Sequence, residues 1–409
     1  MDGSFIEENA RYGKRLYSWL GYETFDELAI SALSWPLHQS FKTDPVVRTT
    51  RLLRHTLLYW LSEYWKSSMI NIFCDLLNQT GTIRQDWKIH RLGHATPESI
   101  RGSVTGYQGQ YVYHPPDLLL GEIVKIPEFH SLVTASRIDS VIMDWTSQGE
   151  ISLSLVKASA AFSDLSVQTQ AERYGVTVAN GRMHYTTDAL MIAACHIEEN
   201  RIIQRFPDAF WNRPLILYHL PERFDTNLRL YVDLHTDHLR DNIDHLREGW
   251  RFYHRLRVDG NLPVLSEDWI RRFHDEFPEL GPRMGDLFRK TLYSHAFAMQ
   301  PLRHGFLAQS YPNLILDVKD LEFALERMPR YERGLNFIRM QQEGNTVQGE
   351  TRDDLMEYLR NYGTITTEEA AKELGCSERW ARKILKRLEG EGLVEKIGVT
   401  KGSKWRLKI

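Results

Sequence analysis

"YWLSEYWKSSMINIFCDLL", Tyr59 to Leu77, decides the reading of the front of this chain. The apolar run Leu57, Leu58, Tyr59, Trp60 and Leu61 predicts a buried strand. A short loop follows, then Lys66-Ser67-Ser68. Met69, Ile70, Ile72, Phe73, Leu76 and Leu77 then recur at helical spacing. Strand, loop, Lys-Ser, helix is the layout of the phosphate-binding pattern G-x-x-x-x-G-K-[ST]. Trp60 and Trp65 stand where that pattern has glycine.

The substitution has a physical cost. A phosphate cradle points consecutive backbone N–H groups inward, and glycine permits the positive φ and close approach this needs. Tryptophan permits neither cheaply. Glu63 also sets a negative charge inside the loop. Lys66 still offers a point charge and Ser67 a hydroxyl.

Working outward, the 409 residues exceed one ordinary core and predict two or three domains. With 42% hydrophobic and 26% charged residues the composition is that of a globular protein. A net charge of -3 leaves no global basic field, so any nucleic-acid surface must be local. Cys74, Cys195 and Cys376 form no metal-type pair and suggest reduced thiols, hence a cytoplasmic protein. The polar start "MDGSFIEENARYGK" is not a secretory signal, and no apolar run reaches membrane-spanning length.

Residues 1–45 predict mixed helix and loop with apolar positions Phe25, Leu28, Ile30, Leu33 and Trp35. From 46 to 225, "TLLYWL", "GEIVKI", "EISLSLV", "ALMIAAC" and "PLILYHL" alternate with helical stretches. That alternation predicts a mainly parallel sheet between helices. Residues 226–340 turn helical and charged, 341–352 are a polar linker, and 353–409 form a small module.

The module is the clearest segment. "TTEEAAKELG" has Thr366 with Glu369 three residues on, a capping box, and stops at Gly375. Ser377 can cap "ERWARKILKRLEGEG", where Trp380, Ala381, Ile384, Leu385 and Leu388 share one helical face. Arg379, Arg382, Lys383, Lys386 and Arg387 lie largely on the other. "LVEKIG" and "SKWRLKI" alternate as two strands around "VTKG". Three helices and a hairpin predict a winged helix-turn-helix whose third helix enters the major groove of double-stranded DNA. Lys401 and Lys404 on the wing add phosphate contacts. The competing reading is a winged helix used for protein contacts, its charges merely solvated.

Elements further along test the phosphate-loop idea. "GEIVKIPEFHSL" puts Glu128 after a strand end, with Pro127 where a Mg²⁺-binding aspartate is expected. His196 ends the strand "ALMIAAC". Arg213 precedes "PLILYHL", and Arg283 opens a late helix in "ELGPRMGDLFRKTLYSHAFA". In this order the chain resembles AAA+ ATPases, and within them the minichromosome-maintenance (MCM) helicases and their relatives on mobile elements. The resemblance spans roughly residues 46–409 in order of elements and is weak in letters. It implies an αβα domain with a helical lid, ATP and Mg²⁺ as cofactors, and assembly with itself or another AAA+ subunit. It assigns Lys66 and Ser67 to the phosphate loop, Glu128 to catalysis and Arg213 to the arginine finger. Arg283 becomes the lid sensor, and His196 replaces the asparagine sensor. With both glycines and the aspartate replaced, weak or absent hydrolysis is expected. The implied role is DNA binding in replication or maintenance of a genome or mobile element, associated with the nucleoid. The alternatives are a working ATP-driven translocase and a winged-helix transcriptional regulator.

Other clusters are less telling. His235 and His238 could share a helix face, a geometry open to metal, but surface helices carry such residues without one, and no metal site is assigned. "LGHATPESIRGS" can present Arg101 to a partner. "TGYQGQYVYHPPD" reads as a packed loop, with base stacking by Tyr107, Tyr111 and Tyr113 as the alternative.

Overall fold

A computed structural model of the chain describes residues 5–16, 23–60, 66–78, 87–93, 99, 102–107, 110–132, 138–154, 160–180, 182–196, 203, 206–211, 213–219, 244–278, 280–304, 310–342, 355–356, 358–360, 362–373, 378–390, 392–398 and 404–408. The chain divides into two units, residues 1–217 with 237–335 and residues 218–236 with 336–409.

The first unit is built on a parallel sheet. Its strands are β1 (Thr56–Trp60), β2 (Ile89–Arg91), β5 (Ile123–Ile126), β9 (Leu190–His196) and β10 (Leu215–His219), in the spatial order β10-β1-β9-β5-β2. β1 with β9, β9 with β5, and β5 with β2 all pair parallel. β9 is central, and Leu190 to Cys195 are all fully buried. An unbroken apolar run is what a strand covered on both faces requires. Helices α2 (Glu23–Phe41), α4 (Lys66–Leu77) and α5 (Phe129–Leu132) pack against it.

The N-terminal segment carries α1 (Phe5–Leu16), α2 and α3 (Pro45–Thr50). Phe25, Leu28, Ile30 and Leu33 are buried, as their apolar spacing implies. Asp44 caps α3, its carboxylate accepting from the Val46 amide at 2.8 Å, with Pro45 in the first turn. The late helices are α9 (244–255), α10 (Glu267–Glu276), α11 (Pro282–His304) and α12 (Val318–Gln342); α11 packs on α2. Gly334 lets α12 lie directly on β10, since a Cβ there would meet the Ile216 carbonyl oxygen at 2.1 Å.

Two expectations are corrected. "TGYQGQYVYH" is not a loop but an antiparallel hairpin, β3 (Ser103–Tyr107) with β4 (Gln110–His114). The two strands pair from Ser103 with His114 to Tyr107 with Gln110, and Tyr113 is buried while its neighbours are exposed. "EISLSLV" is not a strand of the parallel sheet. Its β6 (Glu150–Ser154) pairs antiparallel with β8 (Arg182–Thr186), which also pairs with β7 (Thr177–Ala179). Both segments fall between the core strands in sequence and form separate small sheets. α6 (Ile138–Ser147) lies between them, and α7 (Leu165–Glu172) between β6 and β7.

Charged groups sit inside this unit. Arg54, just before β1, is fully buried and donates to the Glu27 carboxylate and the Tyr331 hydroxyl. Its other nitrogen reaches the Glu27 carbonyl and Ser31 hydroxyl, each at 3.1 Å. Burial alone would raise the Glu27 carboxyl, but Arg54, Arg327 and Arg330 hold it below its ordinary value. Removing one partner of such a pair strands the other charge. Arg54→Met should therefore lower unfolding free energy by about 3–5 kcal/mol, read as a shifted denaturant midpoint. An unchanged midpoint would show that the network contributes nothing net.

Candidate functional site

Because β1, β9 and β5 are parallel neighbours, their C-terminal ends emerge along one edge, where open α/β sheets bind ligands. Trp60 at the end of β1 lies level with His196 at the end of β9. β5 ends at Ile126 opposite Ala193, followed at once by Pro127 and Glu128. Three of the elements that carry candidate residues are thus side by side.

Ser67, on the first turn of α4, donates its hydroxyl to the Pro127 carbonyl oxygen at 2.8 Å. This bond crosses 60 positions and brings the Lys-Ser segment to the strand end that lacks its aspartate. The proton of Ser67 is thereby engaged, while its lone pairs can still accept or coordinate. Ser67 and Pro127 offer two neutral oxygens where a hard cation favours carboxylate. Mg²⁺ therefore fits this place poorly. Lys66 opens α4; its side chain, Glu63 and Trp65 lie outside the described residues.

Glu128 is exposed beyond β5. His196 meets a residue that sequence reading passed over. The imidazoles of His196 and His130, on α5, have centroids 4.5 Å apart at 58°, and His130 Nδ1 is buried with no hydrogen-bond partner among the described residues. The signal was present in "PEFH", two positions after Glu128, but only the register of β9 shows what it faces.

Arg213 lies between α8 (Asp208–Trp211) and β10. It donates to the Met143 carbonyl oxygen at 2.6 Å. Burial, then the charge of Arg283, lowers its pKa against the pull of Asp144. The structure thus brings the two arginines within electrostatic reach of each other. Arg283, near the start of α11, is exposed.

The second unit holds the other candidate. Backbone at 355–356 and 358–360 is helical, followed by β13 (Thr364–Thr366), α13 (Thr367–Glu373), α14 (Glu378–Gly390), β14 (Val394–Ile397) and β15 (Lys404–Leu407). The sheet order is β13-β15-β14, antiparallel throughout. β13 was not foreseen, because "TIT" is short and runs directly into the cap. The capping box is formed reciprocally: the Thr366 amide donates to Glu369 Oε2 at 2.8 Å, and the Glu369 amide to Thr366 Oγ1 at 3.1 Å. Ala381, Ile384, Leu385 and Leu388 are buried in one core with Leu355, Leu359, Ile365, Val394 and Trp405.

That packing turns the other face of α14 outward, where Arg382 and Lys386 are exposed one turn apart. On β15 and just beyond it, Lys404, Arg406 and Lys408 are exposed on alternate positions, while Trp405 is buried between the first two. Arg406 is paired with Glu395 at 2.5 Å. Arg406 and Lys408 were missed in the sequence, although their alternation with Trp405 and Leu407 announces them. Arg379, Lys383 and Arg387 lie on α14, but their side chains, with Lys401 and Ser377, fall outside the described residues, as do Arg101, His235 and His238. No group of metal-ligating side chains occurs among the described residues. No described helix is long and apolar enough to cross a membrane.

Residues 351–408 match the model of a family described as FaeA-like protein. No curated protein gives a match to the chain. Thr366→Ala removes one half of the capping box and should destabilise the second unit by about 1 kcal/mol, read as faster amide exchange in α13 of the intact protein. Unchanged exchange would mean that the turn is held by β13 pairing alone.

Proposed function

We propose that the chain acts by holding duplex DNA through its C-terminal winged helix. The observation that carries this reading is the exposed pair Arg382 and Lys386 on a helix whose opposite face is sealed into the core, beside the cationic edge of β15. A helix so presented enters the major groove, and its cations meet phosphates and position the protein. The match to the FaeA-like family, a winged-helix-like family of DNA-binding regulators, supports the same conclusion.

For the first unit we propose a degenerate, MCM-like AAA+ domain. Three features support it. The strand carrying His196 lies between the one leading to Lys66 and the one leading to Glu128, as a residue touching a terminal phosphate would require. Ser67 meets the strand end at Pro127. The positive charge of Arg283 bears on Arg213. In this reading Lys66 and Ser67 hold phosphate, Glu128 positions water, and neutral oxygens replace the metal-binding carboxylate, so turnover is slow or lost. A nucleotide would bind through Lys66 and Ser67; an assembly with a second subunit would use Arg213 and Arg283.

Arg382→Ala with Lys386→Ala should weaken duplex DNA binding by the intact protein. The slope of log K against log salt should fall by about 0.9 for each phosphate the variant leaves unneutralised. An unchanged slope would remove α14 from the interface. Equilibrium binding of ATP to the wild type and to Lys66→Ala tests the second part. Binding abolished in the variant supports a surviving phosphate site. No binding at millimolar nucleotide, or equal binding by both proteins, would sink it.

A further inference from the structure

Apart from α14, the second unit exposes one face of its three-stranded sheet. β15 is the central strand of the order β13-β15-β14, and residues opposite one another across strands share a face. Ile365 pairs with Trp405 and both are buried, so theirs is the core side. The other face reads across the strands as two rows. One is Thr364, Arg406 and Glu395; the next is Thr366, Lys404 and Ile397. Lys408 continues the line just beyond β15. Lys404, Arg406 and Lys408 are thus exposed at every second residue, about 7 Å apart along the strand.

Three cations in line on a sheet suit a phosphate backbone, but the middle one is occupied. Arg406 donates through Nε and Nη2 to a single oxygen, Glu395 Oε1, each at 2.5 Å. Those two nitrogens are adjacent donors of the planar fork, the arrangement that grips phosphate by two parallel bonds. The side chains are 56% and 39% exposed. A pair so placed adds little to stability, and β14 and β15 are already paired along four residues over the buried Val394 and Trp405. Its effect on a polyanion is larger. Joined, the two side chains carry no net charge, and a neutral pair releases no counterion from DNA. A phosphate that took Arg406 would also be left beside the carboxylate it displaced, like charge against like charge.

We propose that Glu395 restrains the grip on duplex DNA by occupying Arg406, so that the outward face of β15 meets phosphate through Lys404 and Lys408 alone. This rests on the reading of the second unit as a duplex-binding winged helix. Phosphate contacts carry no sequence information, whereas base contacts do. Withholding one cation therefore lowers affinity for every duplex alike and leaves a larger share of the binding to α14.

The test is fluorescence-anisotropy titration of the full-length protein with a mixed-sequence duplex of about 30 base pairs, between about 50 and 200 mM salt. Glu395→Gln should bind about eightfold tighter near 0.1 M salt, and its slope of log K against log salt should be steeper by about 0.9, one added phosphate. Glu395→Gln combined with Arg406→Gln should return both quantities to wild-type values, since the position is again neutral. Glu368→Gln removes an exposed carboxylate from α13 and should leave the slope unchanged. Glu395→Thr, which suits a strand, should repeat the gain and serves if Glu395→Gln does not fold. A folded Glu395 variant that binds no tighter, a gain that survives the loss of Arg406, or an equal gain in Glu368→Gln would each overturn the proposal. If Arg382→Ala with Lys386→Ala weakens binding while Glu395→Gln changes nothing, only the role of Glu395 falls. If neither the wild type nor Glu395→Gln binds duplex at the lowest salt, the winged-helix reading falls with it.

Discussion

A buried carboxylate with three guanidiniums around it organises the first unit. Glu27 on α2 accepts from Arg54 at the entry to β1 and from the Tyr331 hydroxyl on α12 at 2.8 Å, with Arg327 and Arg330 close by. Three elements far apart in sequence converge on one side chain. Charges removed from water in this way cost several kcal/mol each unless geometry and hydrogen bonding compensate. Compensation here demands that α2, β1 and α12 hold one relative arrangement. β1 in turn sets the register of β9, and β9 that of β5. The edge that carries Ser67, His196 and Glu128 inherits its geometry from this network.

At that edge, position and chemistry have come apart. Ser67 finds an acceptor at the strand end 60 residues on. The acceptor is a backbone carbonyl. A proline supplies the same hydrogen bond as a carboxylate would, without the charge that attracts a divalent cation. The bond is thus enough to hold α4 against β5 but not enough to hold Mg²⁺ strongly.

Much of this was legible in the sequence, and what was not shares one cause. Largely apolar runs showed β1, β5, β9 and β10, clearest in the central β9, because strands covered on both faces admit few polar residues. The Thr366–Glu369 pair showed the start of α13 because a cap is local. The apolar face of α14 followed from its period, and burying it defined the exposed cations. By contrast, "RLLRHT" gives no sign that Arg54 is buried, since its partners lie on α2 and α12. β2, only three residues long, and β13 lack a pattern of their own and exist through pairing. "EISLSLV" read correctly as a strand but not as a member of another sheet, because alternation states how many faces are buried and not which neighbour is paired. His130 stayed invisible for the same reason: its meaning depends on His196 across the sheet edge.

The two units depend on different physics, and this bears on how they can function together. The second unit closes its core with its own residues, Leu355 to Trp405, and presents cations that need no ligand to be in place. Phosphate neutralisation supplies most of non-specific DNA affinity through counterion release, so the duplex binding proposed for this unit would not depend on the sheet edge. The edge of the sheet is in the opposite position. There the Ser67 hydroxyl meets a backbone carbonyl oxygen, and Glu128 stands exposed just beyond the strand end. Changes on α14 and changes at the sheet edge fall in different units and are therefore separable by mutation.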